Sequence, residues 1–272
     1  MYEYISFKFI LSIGDSATQF NYDITTRRKD MKRKTEYISS FVWDKGSRMC
    51  NQDAVFIRQI RNGNKRYFVA MVCDGIAGLE RGELASTYTN QAVLEQIDII
   101  LRQWEHAHYM CSIRKWINKL FYEIHMTLIA YSEHHAICMG TTASLVIVAG
   151  KKYYLFHIGD GRIYKITNKK AKCLTRDEVI QSKGKSILNH AMGMGSWQIP
   201  YYQKGSLRRK HGLLICSDGF YRRNEMYIRE KSMLLHKINE EEKIQCFLET
   251  MVRRASQNGE TDNSSAVYMR II

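Results

Sequence analysis

Three times in this chain an apolar run ends in an aspartate followed by a glycine. The runs read YFVAMVC before Asp74-Gly75, YYLFHIG before Asp160-Gly161 and GLLICS before Asp218-Gly219. A carboxylate at the end of a buried strand is costly unless it is hydrogen-bonded, ion-paired or bound to a metal. The glycine after it permits a sharp turn and lets another group approach the backbone. Asp-Gly also marks ordinary turns, and one instance alone would carry that meaning. Three instances, each after an apolar run, put turn and site on an equal footing. Converging carboxylates would offer hard oxygen donors, which suit Mg²⁺ or Mn²⁺ and not zinc.

The flanking residues separate the two readings. In chain order come Arg48-Met-Cys-Asn-Gln52-Asp53, then VCDGIAGLERGELAS, then MGTTASLVIVAGKKYYLFHIGDGRIY, then LLICSDGF, then Thr261-Asp262-Asn263-Ser264. This order and spacing resemble the metal-dependent protein phosphatase family of type 2C, especially its compact bacterial members, over about residues 36–272. The resemblance implies an α+β fold, a four-layer α-β-β-α sandwich with two central, mainly antiparallel sheets and a metal centre at one edge. It implies two ions of Mg²⁺ or Mn²⁺, with room for a third. Asp74 would bridge two ions and the Gly75 carbonyl would ligate the second. Asp218 and Asp262 would hold the first, and Asp53 would act through metal-bound water. Asp160, with Asp218, would support the third, weaker site. Arg48 would clamp the substrate phosphate, and Gln52, where many members have Glu, would bind water.

The activity so implied is that of a serine/threonine phosphoprotein phosphatase in which a metal-bridging hydroxide attacks phosphorus directly. Arg48, Asp53, Asp74 and Asp218 would form its catalytic set. Ile76 stands where some members carry His, so water would protonate the leaving group. Three departures from the family pattern are visible: GDGR in place of GDSR, Ala77 and Leu79 in the second motif, and Ser264-Ser265 in the last. They motivate an alternative, a catalytically weak or inactive relative that binds phosphoproteins. The implied partners are phosphorylated proteins, including a serine/threonine kinase and its targets.

The elements that must position these residues follow from periodicity. Strands are expected at 36–43, 53–60 and 67–73, the last two joined through the turn signal Arg61-Asn-Gly-Asn64. Helical stripes run through 83–104 and 112–135, with Ser112 placed as an N-cap. Further strands are expected at 142–149, 153–158, 162–167, 212–216 and 265–272, and a helix at 240–255. Residues 168–211 lack a long periodic stretch and read as a flap or recognition segment. Strands and helices come in runs, which favours α+β over a doubly wound sheet.

Composition bounds the rest. The chain has 272 residues, 45% hydrophobic, and 41 Lys plus Arg against 27 Asp plus Glu, a net charge of +14. That excludes a wholly disordered chain, and no apolar run is long enough to span a membrane. The charge also admits nucleic-acid binding as a third hypothesis, but the scattered aromatics do not form a stacking platform. The excess reads instead as a field for acidic or phosphorylated substrates, with Lys204, Arg208, Arg209, Lys210, Arg222 and Arg223 flanking the Asp218 strand. Seven cysteines in no CxxC pattern point to a reducing, cytoplasmic setting. Residues 1–34 read as an amino-terminal extension, with a basic run at 27–34 and Met31 as the expected natural start, ahead of one catalytic domain over 35–272. His106 with His108 reads as a helix-end cluster and His157 as a satisfied core histidine. The lone Gly193-Met-Gly195 carries no dinucleotide site.

Overall fold

A computed structural model describes residues 37–107, 112–182 and 185–272. The amino-terminal extension, Met31, His108 and Cys111 lie outside the described residues. The chain runs β1 (Tyr37–Asp44), β2 (Asp53–Asn62), β3 (Lys65–Asp74), α1 (Gly82–His106), α2 (Ile113–His135), β4 (Ala143–Ala149), β5 (Lys152–Ile158) and β6 (Arg162–Ile166). Then come β7 (Ala171–Cys173), β8 (Val179–Ser182), β9 (Lys185–Leu188), β10 (Tyr201–Ser206), β11 (Gly212–Cys216), α3 (Asp218–Tyr221), α4 (Glu225–Lys231), a 3-10 turn (Ser232–Lys237), α5 (Glu241–Gln257) and β12 (Ser264–Ile271).

Two five-stranded antiparallel sheets face each other, in the orders β1-β12-β11-β6-β7 and β10-β5-β4-β3-β2. Strand β3 shows why its sequence is almost continuously apolar. Phe68, Ala70 and Val72 pack between the sheets, while Val69, Met71 and Cys73 pack under α1 and α2. Both faces are covered, so the period-2 alternation of a half-exposed strand disappears. On the opposite side α5 lays Ile244, Leu248 and Met251 against Leu214, Ala266 and Tyr268 of the first sheet. The four layers are therefore helix, sheet, sheet and helix, as the resemblance implied.

The local expectations hold in detail. Gly63-Asn64 is the two-residue loop of the β2–β3 hairpin, because Asn62 pairs with Lys65. Ser112 caps α2 by accepting from the Arg114 backbone N–H at 3.3 Å. His134 and His135 occupy the last turn of α2, where positive charge complements the helix dipole. The six described cysteines are free. Among the described residues no helix is long and apolar enough to cross a membrane.

The segment 168–211 contains four short strands. Strand β7 extends the first sheet, β8 and β9 form a separate hairpin, and β10 closes the edge of the second sheet. Strand β10 is paired on one side only, and Lys204 on it is exposed. An edge strand of that kind has no apolar run to betray it. The short helices α3 and α4 were not expected either, because four to seven residues leave too little periodicity to read.

Candidate metal centre

The Asp-Gly pairs are placed by the ends of strands in both sheets. Asp53 opens β2 and Asp74 closes β3, and the two are direct register partners. The end of β3 is pinned by the Gly140-Thr-Thr142 segment. The Asp74 carbonyl accepts from Thr142 N at 2.8 Å and Thr141 Oγ1 at 2.9 Å, and Asp74 N donates to Thr142 Oγ1 at 3.0 Å. Gly75 N donates to the Gln52 carbonyl at 3.0 Å, which ties the two motifs together. A side chain at Gly75 would meet the carbonyl oxygens of Gly82 at 2.4 Å and Gln52 at 2.7 Å, so only glycine fits there.

Asp218 begins α3 at the end of β11 in the other sheet, and Ser217 stitches the sheets at this edge. Its hydroxyl donates to Asp53 Oδ2 at 3.0 Å and accepts from Ser265 N at 3.0 Å. Asp262 precedes β12. Its Oδ1 accepts from Asn263 N at 2.9 Å and its Oδ2 from Arg48 at 3.0 Å. Asn263 holds the loop that carries Arg48, donating to the carbonyls of Lys45 at 2.7 Å and Cys50 at 3.0 Å and accepting from Gln52 N at 2.8 Å. Gln52 itself turns its Nε2 to Glu83 Oε2 at 3.3 Å.

Asp160 follows β5 by two residues, beyond a tightly held Gly159. Glu178 brackets that glycine: Gly159 N donates to Glu178 Oε2 at 2.9 Å, and Glu178 N donates to the Gly159 carbonyl at 2.9 Å. His190 Nδ1 lies 2.9 Å from the same Glu178 oxygen, and His157 Nε2 lies 2.9 Å from the Gly159 carbonyl. The buried His157 is thus a satisfied core histidine, and it also fixes the turn before Asp160. The departure at GDGR has a local cause. A Cβ on Gly161 would come within 2.9 Å of Ser144 Oγ, itself engaged with His157.

The electrostatics register how close the carboxylates stand. Burial, opposed by the hydroxyls of Ser265 and Ser217 and assisted by Asp218 and Asp262, pushes Asp53 up to about 7. Burial, then repulsion from Asp53, Asp218, Asp160 and Asp262, holds Asp74 well above the usual carboxylate range. Burial and Asp218 push Asp160 up to about 6. Five acids thus repel one another at one edge. Buried Asp53 Oδ1 has no hydrogen-bond partner among the described residues. An orphaned carboxylate oxygen among further aspartates fits a hard divalent ion. Among the described residues no three His, Cys, Asp or Glu side chains close on a single point. The donors are spread along the edge instead, where Arg48 pairs with Asp262 and Arg222 with Asp218.

Not every basic residue singled out earlier lies near this edge. Arg208, Arg209 and Lys210 precede β11, whereas Asp218 follows it, so the five-residue strand separates them by roughly 17 Å. Arg222 does reach the site, as do Ser217, Glu178, Glu260 and Asn263, which carried no assigned role. Of these, Ser217 and Asn263 lay inside recognised motifs. Arg222 could have been found from its i+4 spacing to Asp218.

The α-β-β-α sandwich therefore sets its acidic strand ends along one edge of the paired sheets. Residues 45–265 match the family described as protein phosphatase 2C, so the chain belongs to that family of serine/threonine protein phosphatases. A Mycoplasma genitalium chain described as a candidate protein phosphatase is 20% identical over 233 residues, 76% of this chain and 86% of the relative. The crystal structure of serine/threonine phosphatase Stp1 from Staphylococcus aureus superposes with a TM-score of 0.72 at 22% identity, covering 91% of this chain and 100% of that one. The catalytic domain of the serine/threonine phosphatase PstP, solved with two manganese ions, superposes with a TM-score of 0.65 at 20% identity, covering 87% and 100%.

Proposed function

We propose that the chain is a Mg²⁺- or Mn²⁺-dependent serine/threonine phosphoprotein phosphatase that cleaves phosphomonoesters by direct attack of water. One observation carries this reading: Asp53, with an unpartnered buried oxygen, stands in register with Asp74 and within repulsive reach of Asp218 and Asp262. Asp74, the Gly75 carbonyl, Asp218 and Asp262 would hold two ions, and Asp53 would orient their water. Asp160, with Asp218, would hold a third, weaker ion. Bound divalent ions would lower the pKa of a water and offset charge on the phosphoryl oxygens.

The chain's own residues do the rest. Arg48 is half-exposed on its loop and presents a planar fork matched to phosphate oxygens. Leaving Asp262 for the substrate keeps its charge within the same acidic edge. Ile76 has no proton to give, so the leaving oxygen takes one from water. Ser217 holds Asp53 in place and Asn263 holds the Arg48 loop. The phosphoprotein substrates, and a kinase among them, belong to this same reading.

The test is hydrolysis of a phosphothreonine peptide with and without Mn²⁺, beside Asp218→Asn. Mn²⁺-dependent turnover that Asp218→Asn abolishes is expected. Normal Mn²⁺ binding with tight phosphopeptide capture and no turnover would overturn the catalytic reading in favour of a phosphoprotein-binding relative.

A further inference from the structure

Arg208, Arg209 and Lys210 have no part in the metal centre, and they do not stand alone. Strands β4, β6 and β10 all run away from the acidic edge, so the turns that follow them meet at the opposite end. Strand β5, from Lys152 to Ile158, sets that end roughly 20 Å from the acidic edge. The β4–β5 turn carries Lys151 and Lys152, the β6–β7 turn Lys169 and Lys170, and the β10–β11 loop Arg208, Arg209 and Lys210, all exposed. Hydrogen bonds hold these turns together. Leu207 N donates to the Lys151 carbonyl at 2.7 Å, and Lys165 Nζ donates to the Ser206 carbonyl at 2.7 Å. Lys165 is also in register with Lys172. Burial, then Arg208 and Lys172, hold its ammonium below the usual lysine range. Among the described residues none of the seven exposed cations pairs with a carboxylate, whereas Arg48, Arg162 and Arg222 at the acidic edge all do. The acids at this end, Glu105 and Glu240, Glu241 and Glu242, sit at the ends of the flanking helices α1 and α5.

We propose that this basic end of the sandwich is a docking surface for an anionic lipid bilayer, which holds the chain with its acidic edge turned away from the lipid. The seven cations equal half of the net charge of +14 and are gathered at one end. Lys32, Arg33 and Lys34 add three more in the sequence that leads into Tyr37, which begins β1 at this same end. Each basic residue close to an anionic leaflet adds to the attraction. The same lipid repels the acidic edge at the other end, so the charge asymmetry sets orientation as well as affinity. Five of the seven are lysines. Their point charges on long stems meet a headgroup layer without fixed geometry, unlike a planar fork built for one phosphate. Among the described residues no aromatic side chain is exposed at these turns, so they offer no platform on which bases could stack. No residue of this surface touches the acidic set, so it stands or falls apart from the metal-dependent reading.

The experiment is co-sedimentation of the whole chain with vesicles of phosphatidylcholine, alone or with about 30% phosphatidylglycerol, at about 0.1 M salt. Binding to the anionic vesicles only is expected, falling as salt is raised to about 0.5 M. Replacing Lys151, Lys152, Lys169 and Lys170 together by Gln is expected to weaken partitioning roughly 100-fold or more, at an unchanged melting temperature. Replacing four exposed cations outside this end, Lys45, Arg81, Arg223 and Arg253, by Gln is expected to weaken it less than about 10-fold. Equal losses in the two variants would show that net charge acts and not this surface, and would overturn the proposal. So would absence of binding to the anionic vesicles. A DNA or RNA duplex bound more tightly than those vesicles would also overturn it, with nucleic acid as the partner instead.

Discussion

Removing divalent cations should make this fold lose stability as pH rises, and the size of the loss follows from Asp53. Its ordinary value is 3.8, and burial with repulsion from its neighbours pushes it up to about 7 in the folded, metal-free chain. The folded state therefore prefers protonated Asp53. Its stability is undiminished below pH 3.8 and is lost as pH rises toward 7. The span between the two values corresponds to roughly 4 kcal/mol. For a domain of this size that lowers the melting temperature by roughly 8–16 °C. Mn²⁺ should return the loss, because it supplies the missing positive charge. Asp74→Asn gives the complementary perturbation. Removing one charge from the cluster should raise metal-free stability at pH 8 by roughly 1–3 kcal/mol and abolish protection by Mn²⁺. Calorimetric scans between pH 3.5 and 8, with chelator or with Mn²⁺, read all of this. A metal-free melting temperature that stays flat across that range would refute the reasoning. So would Asp74→Asn protein protected by Mn²⁺ as fully as wild type.

Three further outcomes are expected. Arg48→Ala should raise KM for a phosphopeptide by roughly 10–100-fold with a smaller change in kcat, and Arg48→Lys should restore only part of it, since the planar fork is lost. Steady-state kinetics on the same peptide decide it. Ser217→Ala leaves Asp53 Oδ2 and Ser265 N without their partner and should cost about 1–3 kcal/mol in urea unfolding. Glu178→Ala releases the Gly159 amide and should speed its hydrogen exchange by roughly 10-fold or more. Unchanged exchange there would show that Glu178 does not hold the turn before Asp160.

The sequence by itself determined the α+β class, most strand positions and the aspartates at the strand ends, and its resemblance to a known family supplied the four layers. Apolar runs ending in Asp-Gly locate the strand ends, because a buried strand and a charged turn differ sharply in composition. The helices α1 and α2 are long enough for their periodicity to be read. Strand β10 and helices α3 and α4 were not legible, since one half-exposed edge strand and helices of four to seven residues carry too little pattern. Nor did sequence distinguish among the basic residues. Lys204, Arg208, Arg209 and Lys210 flank the Asp218 strand in order along the chain, as Arg222 does. Only the folded strand shows that Arg208, Arg209 and Lys210 stand at its far end, while one turn of helix brings Arg222 back onto Asp218. The pairing of Asp53 with Asp74, the stitch through Ser217 and the Glu178 bracket on Gly159 likewise join residues far apart in the chain. Residue types at strand ends can announce a charge, but only the packing of two sheets against each other decides which charges meet.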